Sequence, residues 1–218
     1  MTRTALSITA GVIVALLAIA GVVVYTVPVF TVDRVEVEGA GHVSQEQVEQ
    51  ASGLTIGENL VRVDAQQAAT GIAGLPWVKS VTVERAFPST VHVELTERTA
   101  VAYTDSTDGP HLIDAEGEEF IIDTPPAEAV ELTGGESGSE NWRGAVAVLA
   151  ALPADLRAQA QTLDTADKYN YVFRLKDDRI ITWGANEDNA NKARAFAAVL
   201  KMEGQEWNIS NPELVSSK

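Results

Sequence analysis

Residues 85–98 read RAFPSTVHVELTER, and this stretch decides the fold of the region around it. Its second half places apolar residues at 91, 93 and 95, with polar residues between them. That alternation predicts a strand with one buried face and one face in water. Phe87-Pro88-Ser89 predicts a turn in front of this strand, and residues 77–85 alternate in a similar way. Two strands joined by a turn are therefore expected here.

The residues before this pair predict a strand and two short helices. Residues 31–37 alternate and end at the glycine-rich stretch 39–41, as a first strand would. Ser44 with Gln47 has the spacing of a helix capping box, and Asp64 with Gln67 repeats that signal. Apolar residues at helical spacing follow each signal. The predicted order is strand, helix, helix, strand, strand.

The N-terminus predicts a membrane anchor, because no charged residue occurs among the 29 residues from 4 to 32. A helix of roughly 20 apolar residues spans the hydrocarbon layer. We therefore predict a transmembrane helix at residues 5–27 behind a short cytoplasmic tail at 1–4. Ala18-Ile19-Ala20 has the form of a signal-peptide processing site, so a cleaved leader is the competing interpretation. The apolar run that continues through Gly21 to Tyr25 favours the uncleaved anchor.

The composition limits the partners of everything after this span. All 31 acidic residues and 15 of the 16 basic residues follow it, so that region is strongly acidic and repels nucleic acid. Arg3 slightly favours a cytoplasmic N-terminus by the positive-inside rule, which would put the acidic region outside the cytoplasm. The chain contains no cysteine, which excludes disulfides and thiolate zinc sites within it.

Taken together, these residues resemble the POTRA domain of the FtsQ/DivIB family of bacterial cell-division proteins. The resemblance rests on the order and spacing of several short motifs: the single span followed by residues 30–39, Gly57-Glu58-Asn59-Leu60 with Val63-Asp64, Leu75-Pro76-Trp77-Val78, and residues 85–91 leading into 97–102. It predicts a POTRA domain at residues 30–98.

The rest of the chain is similar to that family's second domain, which the resemblance places at residues 99–210, before a polar tail at 211–218. His111-Leu112-Ile113-Asp114 with Gly117 looks like the family's hairpin around an Asp-x-x-Gly turn. Residues 142–152 and 189–203 have helical spacing, while 169–175, 179–183 and 206–210 are predicted strands. The predicted fold class is α+β: a transmembrane helix, a small POTRA domain (β-α-α-β-β), then a β-rich domain with flanking helices.

Little in the sequence predicts catalysis, so we expect no catalytic residue, no cofactor and no metal. The histidines at 42, 92 and 111 are scattered, and no phosphate loop, dinucleotide fingerprint or nucleophile elbow occurs. His111 with Asp114 resembles a metal pair only superficially. A pocket that joined these two residues to a third ligand would favour an enzyme.

The positive hypothesis is partner binding through a sheet edge, since an edge strand exposes backbone groups that a partner segment can pair with. The resemblance implies that partners bind at the C-terminal end of the second domain, so the candidate edge is Glu206, Trp207, Asn208, Ile209 and Ser210, in which Trp207 and Ile209 would be apolar anchors. Trp207 is equally compatible with a place in the core. Arg34 and Lys79 mark a second candidate surface in the POTRA region.

The resemblance implies a non-enzymatic divisome scaffold or regulator, held in the plasma membrane by a single span and concentrated at the septum. Its implied partners are FtsL-like and FtsB/DivIC-like single-span proteins and the septal peptidoglycan synthase complex, with no nucleic acid. A POTRA-containing export or chaperone-type envelope protein is the main alternative, and an unrecognised extracytoplasmic enzyme is a further one.

Overall fold

A computed structural model describes residues 3–27 and 29–217, with side chains described from residue 11 onward. The chain divides into two compact units, residues 1–97 and 98–218. Met1 and Thr2 of the predicted cytoplasmic tail, and Lys218 of the predicted polar tail, lie outside the described residues. The fold class is α+β, as predicted.

The first unit contains the predicted order of elements after an N-terminal helix. Its elements are α1 (Arg3–Thr26), β1 (Arg34–Glu38), α2 (Gln45–Ser52), a 3₁₀ turn (Leu60–Arg62), α3 (Ala65–Ala73), β2 (Val78–Ala86) and β3 (Thr90–Glu97). The described strands form a three-stranded small sheet in the order β1-β3-β2. β3 is central, parallel to β1 and antiparallel to β2.

Among the residues that the structure describes, no helix combines the length and the apolarity that a membrane crossing requires.

Local sequence signals account for the helices of this unit. Ser44 accepts a hydrogen bond from the amide of Gln47, and the Gln47 side chain returns one to the Ser44 amide, so the predicted capping box is confirmed. Asp64 likewise accepts from the Gln67 amide at the start of α3. The helices bury Val48 and Ile72 against the inward side chains of β3, which alternate as predicted.

A carboxylate fixes the loop that precedes α2. Glu97, at the end of β3, accepts hydrogen bonds from the backbone amides of Gly41, His42 and Val43 at 2.8–2.9 Å, and His42 Nδ1 lies 2.9 Å from its second oxygen. Burial would raise the pKa of Glu97, but the bonds from the three amides and His42 outweigh it and lower the pKa to about 2. The C-terminal end of β3, at the distal end of the small sheet, is thus tied to the loop in front of α2.

The second unit is built around one large sheet. Its elements are β4 (Ala102–Ser106), β5 (Gly109–Ile113), β6 (Glu119–Ile122), β7 (Val130–Thr133), α4 (Glu140–Ala151), α5 (Ala154–Arg157), β8 (Ala160–Asp164), β9 (Tyr171–Leu175), β10 (Ile180–Gly184), α6 (Asn189–Val199), β11 (Glu206–Asn208) and β12 (Ser216–Ser217). The nine described strands have the order β12-β11-β10-β9-β8-β7-β4-β5-β6.

Helices α4 and α6 contribute side chains to the core beside this sheet. Trp183, Phe173 and Phe196 pack edge to face or tilted, with ring centroids 5.3–6.4 Å apart. Tyr171 is also fully buried, and its hydroxyl donates to the carbonyl of Asn141 in α4. The core is continuous from β4 to β11, so the same packing holds the strands of both halves of the sheet.

The structure differs from the sequence prediction at several places of this unit, and β4 and α5 are among the elements that were not predicted. β7 and β8 were not predicted, and each pairs in parallel with a strand distant along the chain. The helix predicted at 189–203 ends at Val199. The tail predicted at 211–218 is not free throughout, because Ser216 and Ser217 return to pair with Asn208 and Trp207.

Candidate partner-binding edge

The predicted last strand is the second strand from one edge of the large sheet. β11 runs parallel to β10, with Trp207 opposite Ile181. On its other side β12 runs antiparallel, with Trp207 opposite Ser217 and Asn208 opposite Ser216. Beyond β12 no further strand follows among the described residues. The backbone groups at this edge therefore belong to β12, and the predicted edge of residues 206–210 is displaced by one strand.

Trp207 and Ile209 lie in the core. Trp207 is 6% exposed and Ile209 is fully buried, and both belong to the core of the second unit. Gly204, with a φ of +151°, lets the chain pass so close to the Trp207 ring that a Cβ there would lie 2.9 Å from it. The two side chains therefore hold β11 in place and are not exposed as anchors. This settles the position of Trp207, which alternation alone left open, in favour of the core.

The exposed apolar groups at this edge lie in the segment that was predicted to be a polar tail. Leu214 is 75% exposed and Val215 is 37% exposed, immediately before β12. The signal that could have found them is an apolar pair in an otherwise polar segment. We define the β12 edge as Leu214, Val215, Ser216 and Ser217. No strand lies beyond β12 among the described residues, and this edge combines that open side with two apolar side chains and carries no charge.

Two short turns precede this edge, and a buried lysine of α6 lies beside the neighbouring strand β10. The Asn208 side chain accepts from the Ser210 amide, and the Asn211 side chain accepts from the Glu213 amide, so the chain turns back toward β12. Lys192 is buried and donates to the carbonyl of Ala185 at 2.8 Å, just after β10. Burial lowers the pKa of Lys192, although Glu187 and Asp188 oppose that change.

The second predicted surface, Arg34 with Lys79, is not brought together. Arg34 begins β1 opposite Thr90, whereas Lys79 lies in β2 beside Thr96 and Glu97, so the two residues occupy opposite edges and opposite ends of the small sheet. At about 3.3 Å per residue, six residues of β3 separate them by roughly 20 Å along the strands. Arg34 is paired with Glu36 at 2.6 Å. The two residues do not form one surface.

His111 and Asp114 also have different partners. Asp114 is buried, forms an ion pair with Arg98 and accepts from the amides of Glu116 and Glu118 in the predicted Asp-x-x-Gly turn. His111 lies between Asp108 at 2.9 Å and Glu119 at 3.4 Å. No group of three metal-ligating side chains occurs within the described part of the chain. Asp114 thus fixes a turn, and it does not converge with His111.

Family models match both units. The model described as the FtsQ-type POTRA domain matches residues 30–98, and the one described as the C-terminal domain of cell division protein FtsQ/DivIB matches residues 101–214. The fold and these two matches define the class of protein: a POTRA domain followed by the β-rich C-terminal domain of a cell-division protein.

Whole-chain relatives agree with this class. The cell division protein FtsQ of Corynebacterium glutamicum is 45% identical over 99% of both chains. That of Mycolicibacterium smegmatis is 32% identical over 94% of this chain and 63% of its own length. The chain belongs to the FtsQ/DivIB family of cell-division proteins.

A solved structure, the major extracytoplasmic domain of the trans isomer of DivIB from Geobacillus stearothermophilus, is 19% identical with a TM-score of 0.38 and covers 48% of this chain and 95% of that one.

Proposed function

We propose that this protein is a non-enzymatic scaffold of the division machinery, which binds single-span division proteins outside the cytoplasm by pairing a partner strand with β12. The β12 edge carries the proposal. An edge strand without charge, next to two exposed apolar residues, offers both backbone pairing and anchors for a partner segment. FtsL-like and FtsB/DivIC-like proteins are the proposed partners, and the septal peptidoglycan synthase complex is the proposed target of the assembly.

The predicted residues 206–210 keep a role in this proposal, but an indirect one. Trp207 and Ile209 lock β11 into the core, and β11 in turn carries β12. Substitution of either buried side chain would disturb the sheet itself, at a cost of about 2–5 kcal/mol for a large-to-small change in a core. Variants at Leu214 and Val215 therefore separate binding from folding more cleanly than variants at Trp207 and Ile209.

We also propose that the chain lies in the plasma membrane with its N-terminus in the cytoplasm, and that it is concentrated at the septum. The support for this placement is the charge-free segment from 4 to 32, which α1 largely contains. The exposed large side chains of α1 from residue 12 onward are mostly aliphatic, including Val12, Leu16, Leu17 and Val22. A helix that is apolar all round requires apolar surroundings. A single anchor would hold the POTRA domain and the β-rich domain on the same side of the membrane.

Microscopy of cells depleted of the chain tests this function. A fluorescent copy that gathers at mid-cell, in cells that fail to divide when it is depleted, is the expected result. A copy with Leu214→Asp and Val215→Asp should lose its ability to restore division, because its partners would no longer assemble on β12. Normal division after depletion, with an even envelope signal, would contradict the proposal.

A further inference from the structure

The Asn59 side chain bonds the end of α1 to the small-sheet domain. Asn59 Nδ2 donates to the carbonyls of Val24, Tyr25 and Val27 at 3.0, 3.2 and 3.3 Å, where the end of the helix leaves carbonyls without helical partners. Asn59 Oδ1 accepts from the Val61 amide at 2.9 Å. The end of α1 is therefore bonded to the loop that precedes α3.

Two loops of the first unit meet the chain directly after α1. The Leu60 amide donates to the carbonyl of Phe30, and the Val32 amide donates to that of Glu58, so the 54–60 loop lies alongside this segment. The Asp33 amide donates to the carbonyl of Ser89, which places the turn between β2 and β3 there as well. Both loops thus lie at the end of the small sheet that α1 enters.

These loops expose apolar side chains beside the helix end. Ile56 is 61% exposed and Phe87 is 57% exposed, and Val27 and Val29 are exposed at the junction itself. The Phe87 ring packs edge to face on Phe30, with centroids 5.3 Å apart, so it is held in position while open to its surroundings. An exposed aromatic side chain and an exposed aliphatic one thus lie together at one end of an acidic protein. Exposed apolar groups that cluster in this way are typical of a contact surface.

Basic groups surround the apolar tips. The Arg62 guanidinium lies over the Tyr25 ring, 5.6 Å from its centroid, and Arg85 donates to the Val61 carbonyl at 3.0 Å. Neither arginine has a carboxylate partner in the part of the chain that the structure describes. Two carboxylates also lie at this end: Asp33 accepts from the Thr31 hydroxyl and Glu58 accepts from the Thr55 amide, and neither pairs with Arg62 or Arg85 in the described part of the chain. Two guanidinium groups are thus available next to exposed apolar side chains.

We propose that this junction face, defined as Val27, Val29, Ile56, Phe87, Arg62 and Arg85, docks on the membrane that α1 enters. Ile56 and Phe87 would lie at the boundary of headgroups and acyl chains, and the two arginines would bind anionic lipid headgroups. The inference rests on the proposed membrane anchor. The occupant follows from continuity with α1, because the apolar tips and the two exposed arginines lie at the end of the small sheet that this helix enters.

Docking would have a consequence for the POTRA domain. Asn59 bonds α1 to the 54–60 loop, and that loop would rest on lipid. These two attachments would hold the small sheet at a fixed angle to the bilayer. The faces and edges of that sheet would then be presented to partners in one orientation, with the distal Glu97 end directed away from the membrane.

Single-cysteine labelling of the full chain tests the docking, because the natural sequence contains no cysteine. The variants Ile56→Cys, Phe87→Cys, Leu17→Cys and Ile122→Cys would each carry an environment-sensitive fluorophore in phosphatidylcholine vesicles with or without phosphatidylglycerol. Leu17 reports the anchor, and Ile122, an exposed isoleucine of the second unit, is the matched control for Ile56. A nitroxide lipid and aqueous iodide are the two quenchers.

Labels at 56 and 87 should be quenched by the nitroxide lipid and protected from iodide, and the label at 122 should show the reverse. If the label at 17 is quenched by lipid while those at 56 and 87 behave like the one at 122, docking is wrong and the anchor stands. If the label at 17 is also reached by iodide and not by lipid, the proposed anchor fails and the docking with it.

The arginines are tested in the Ile56→Cys background. Arg62→Gln with Arg85→Gln should remove the additional lipid quenching that phosphatidylglycerol produces, and the control pair Arg174→Gln with Lys176→Gln, on the exposed face of β9 and its turn, should leave it unchanged. Equal losses in both pairs would show an effect of net charge and overturn the assigned contact.

Discussion

Each unit contains a sheet with an open edge strand, β2 in the small sheet and β12 in the large sheet. These two edge strands differ in length and in charge. β2 in the small sheet has nine residues and carries Lys79, Glu84 and Arg85 on exposed positions. β12 in the large sheet has two residues, both serine, after the exposed Leu214 and Val215. Charged side chains are a means by which proteins prevent an edge from pairing with other chains. The longer edge is thus the protected one, and the shorter β12 is the edge that we propose for partner binding.

A third edge, β6, shows an intermediate arrangement. The amide of Glu119 donates to the Ser137 hydroxyl, so part of this edge is covered by the chain itself. His111, one strand further in, bonds to Glu119 and places a charged pair beside it. Among the described edges of the large sheet, β12 therefore remains the better site for a partner strand.

The largest effect is expected from charges at the β12 edge. Leu214→Asp with Val215→Asp should weaken binding of a single-span partner on the order of 100-fold, because two apolar anchors each contribute about 1–2 kcal/mol. Affinity is measured with the purified full chain by surface-immobilised partner binding. Met202→Asp changes another exposed apolar residue of the same unit and should leave the affinity unchanged. Equal losses in both variants would remove the special role of β12.

A second change separates the units. Glu97→Gln should lower the free energy of unfolding of the first unit by about 1–3 kcal/mol, since three amide hydrogen bonds to a carboxylate are weakened. Hydrogen exchange of peptides from residues 30–97 measures this, and Glu94→Gln, on the outward face of the same strand, should have little effect. Partner affinity at β12 should not change in either variant.

This stabilisation has a defined pH dependence. The folded pKa of Glu97 is about 2, below its ordinary value of 4.5, so its contribution is complete above pH 4.5 and is lost as the pH falls toward 2. The difference between the natural chain and Glu97→Gln should shrink over that window. A constant difference across it would show that the carboxylate charge is not the cause.

The protection of β2 is tested by removing its charges. Lys79→Thr with Glu84→Thr leaves β2 a long edge with high strand propensity, which should produce weak, concentration-dependent self-association of the full chain in detergent. Sedimentation velocity detects this. The matched substitution of exposed charges outside any strand, Glu203→Thr with Lys201→Thr, should not cause association. If the β2 variant stays monomeric at all concentrations, charge is not what keeps this edge unpaired.

The smallest effect concerns β6. The hydrogen bond that His111 donates to the Asp108 carboxylate raises the pKa of His111, against the opposing effect of burial and with help from Glu119. Its stabilisation is complete below the ordinary pKa of about 6.5 and is lost as the pH rises through the higher folded value. Amide exchange at residues 109–122, corrected for intrinsic rates, should thus rise between pH 6 and pH 8. His111→Gln should abolish that rise, and His92→Gln should leave it unchanged.

Features that depend on neighbouring residues were predictable from the sequence. The cap of α2 needs only Ser44 and Gln47, and the alternation of β3 is complete within eight residues. β7 was missed because it is short and pairs in parallel with β4 and β8, which lie far from it along the chain, and β8 was missed because its five residues hold only a weak apolar alternation. Local periodicity holds no information about such pairings.

The candidate site was predictable only in its location. The sequence led to the C-terminal end of the second domain, but alternation cannot separate a buried tryptophan from an interface anchor, and packing places Trp207 inside. β12 consists of two serines, which carry no strand signal of their own and become a strand because β11 is fixed beside them. Leu214 and Val215 were overlooked because a polar segment surrounds them.

Cross-linking in cells tests the central claim most directly. Single cysteines at Ser216 and Ser217, and at Lys79 and Thr82 on β2, would be paired with a cysteine scan along the extracytoplasmic segment of an FtsB/DivIC-like partner. The account predicts disulfides from 216 and 217 to alternate positions of the partner, as in a paired strand, and few from β2. Cross-links that form mainly from β2, or from neither edge, would contradict it.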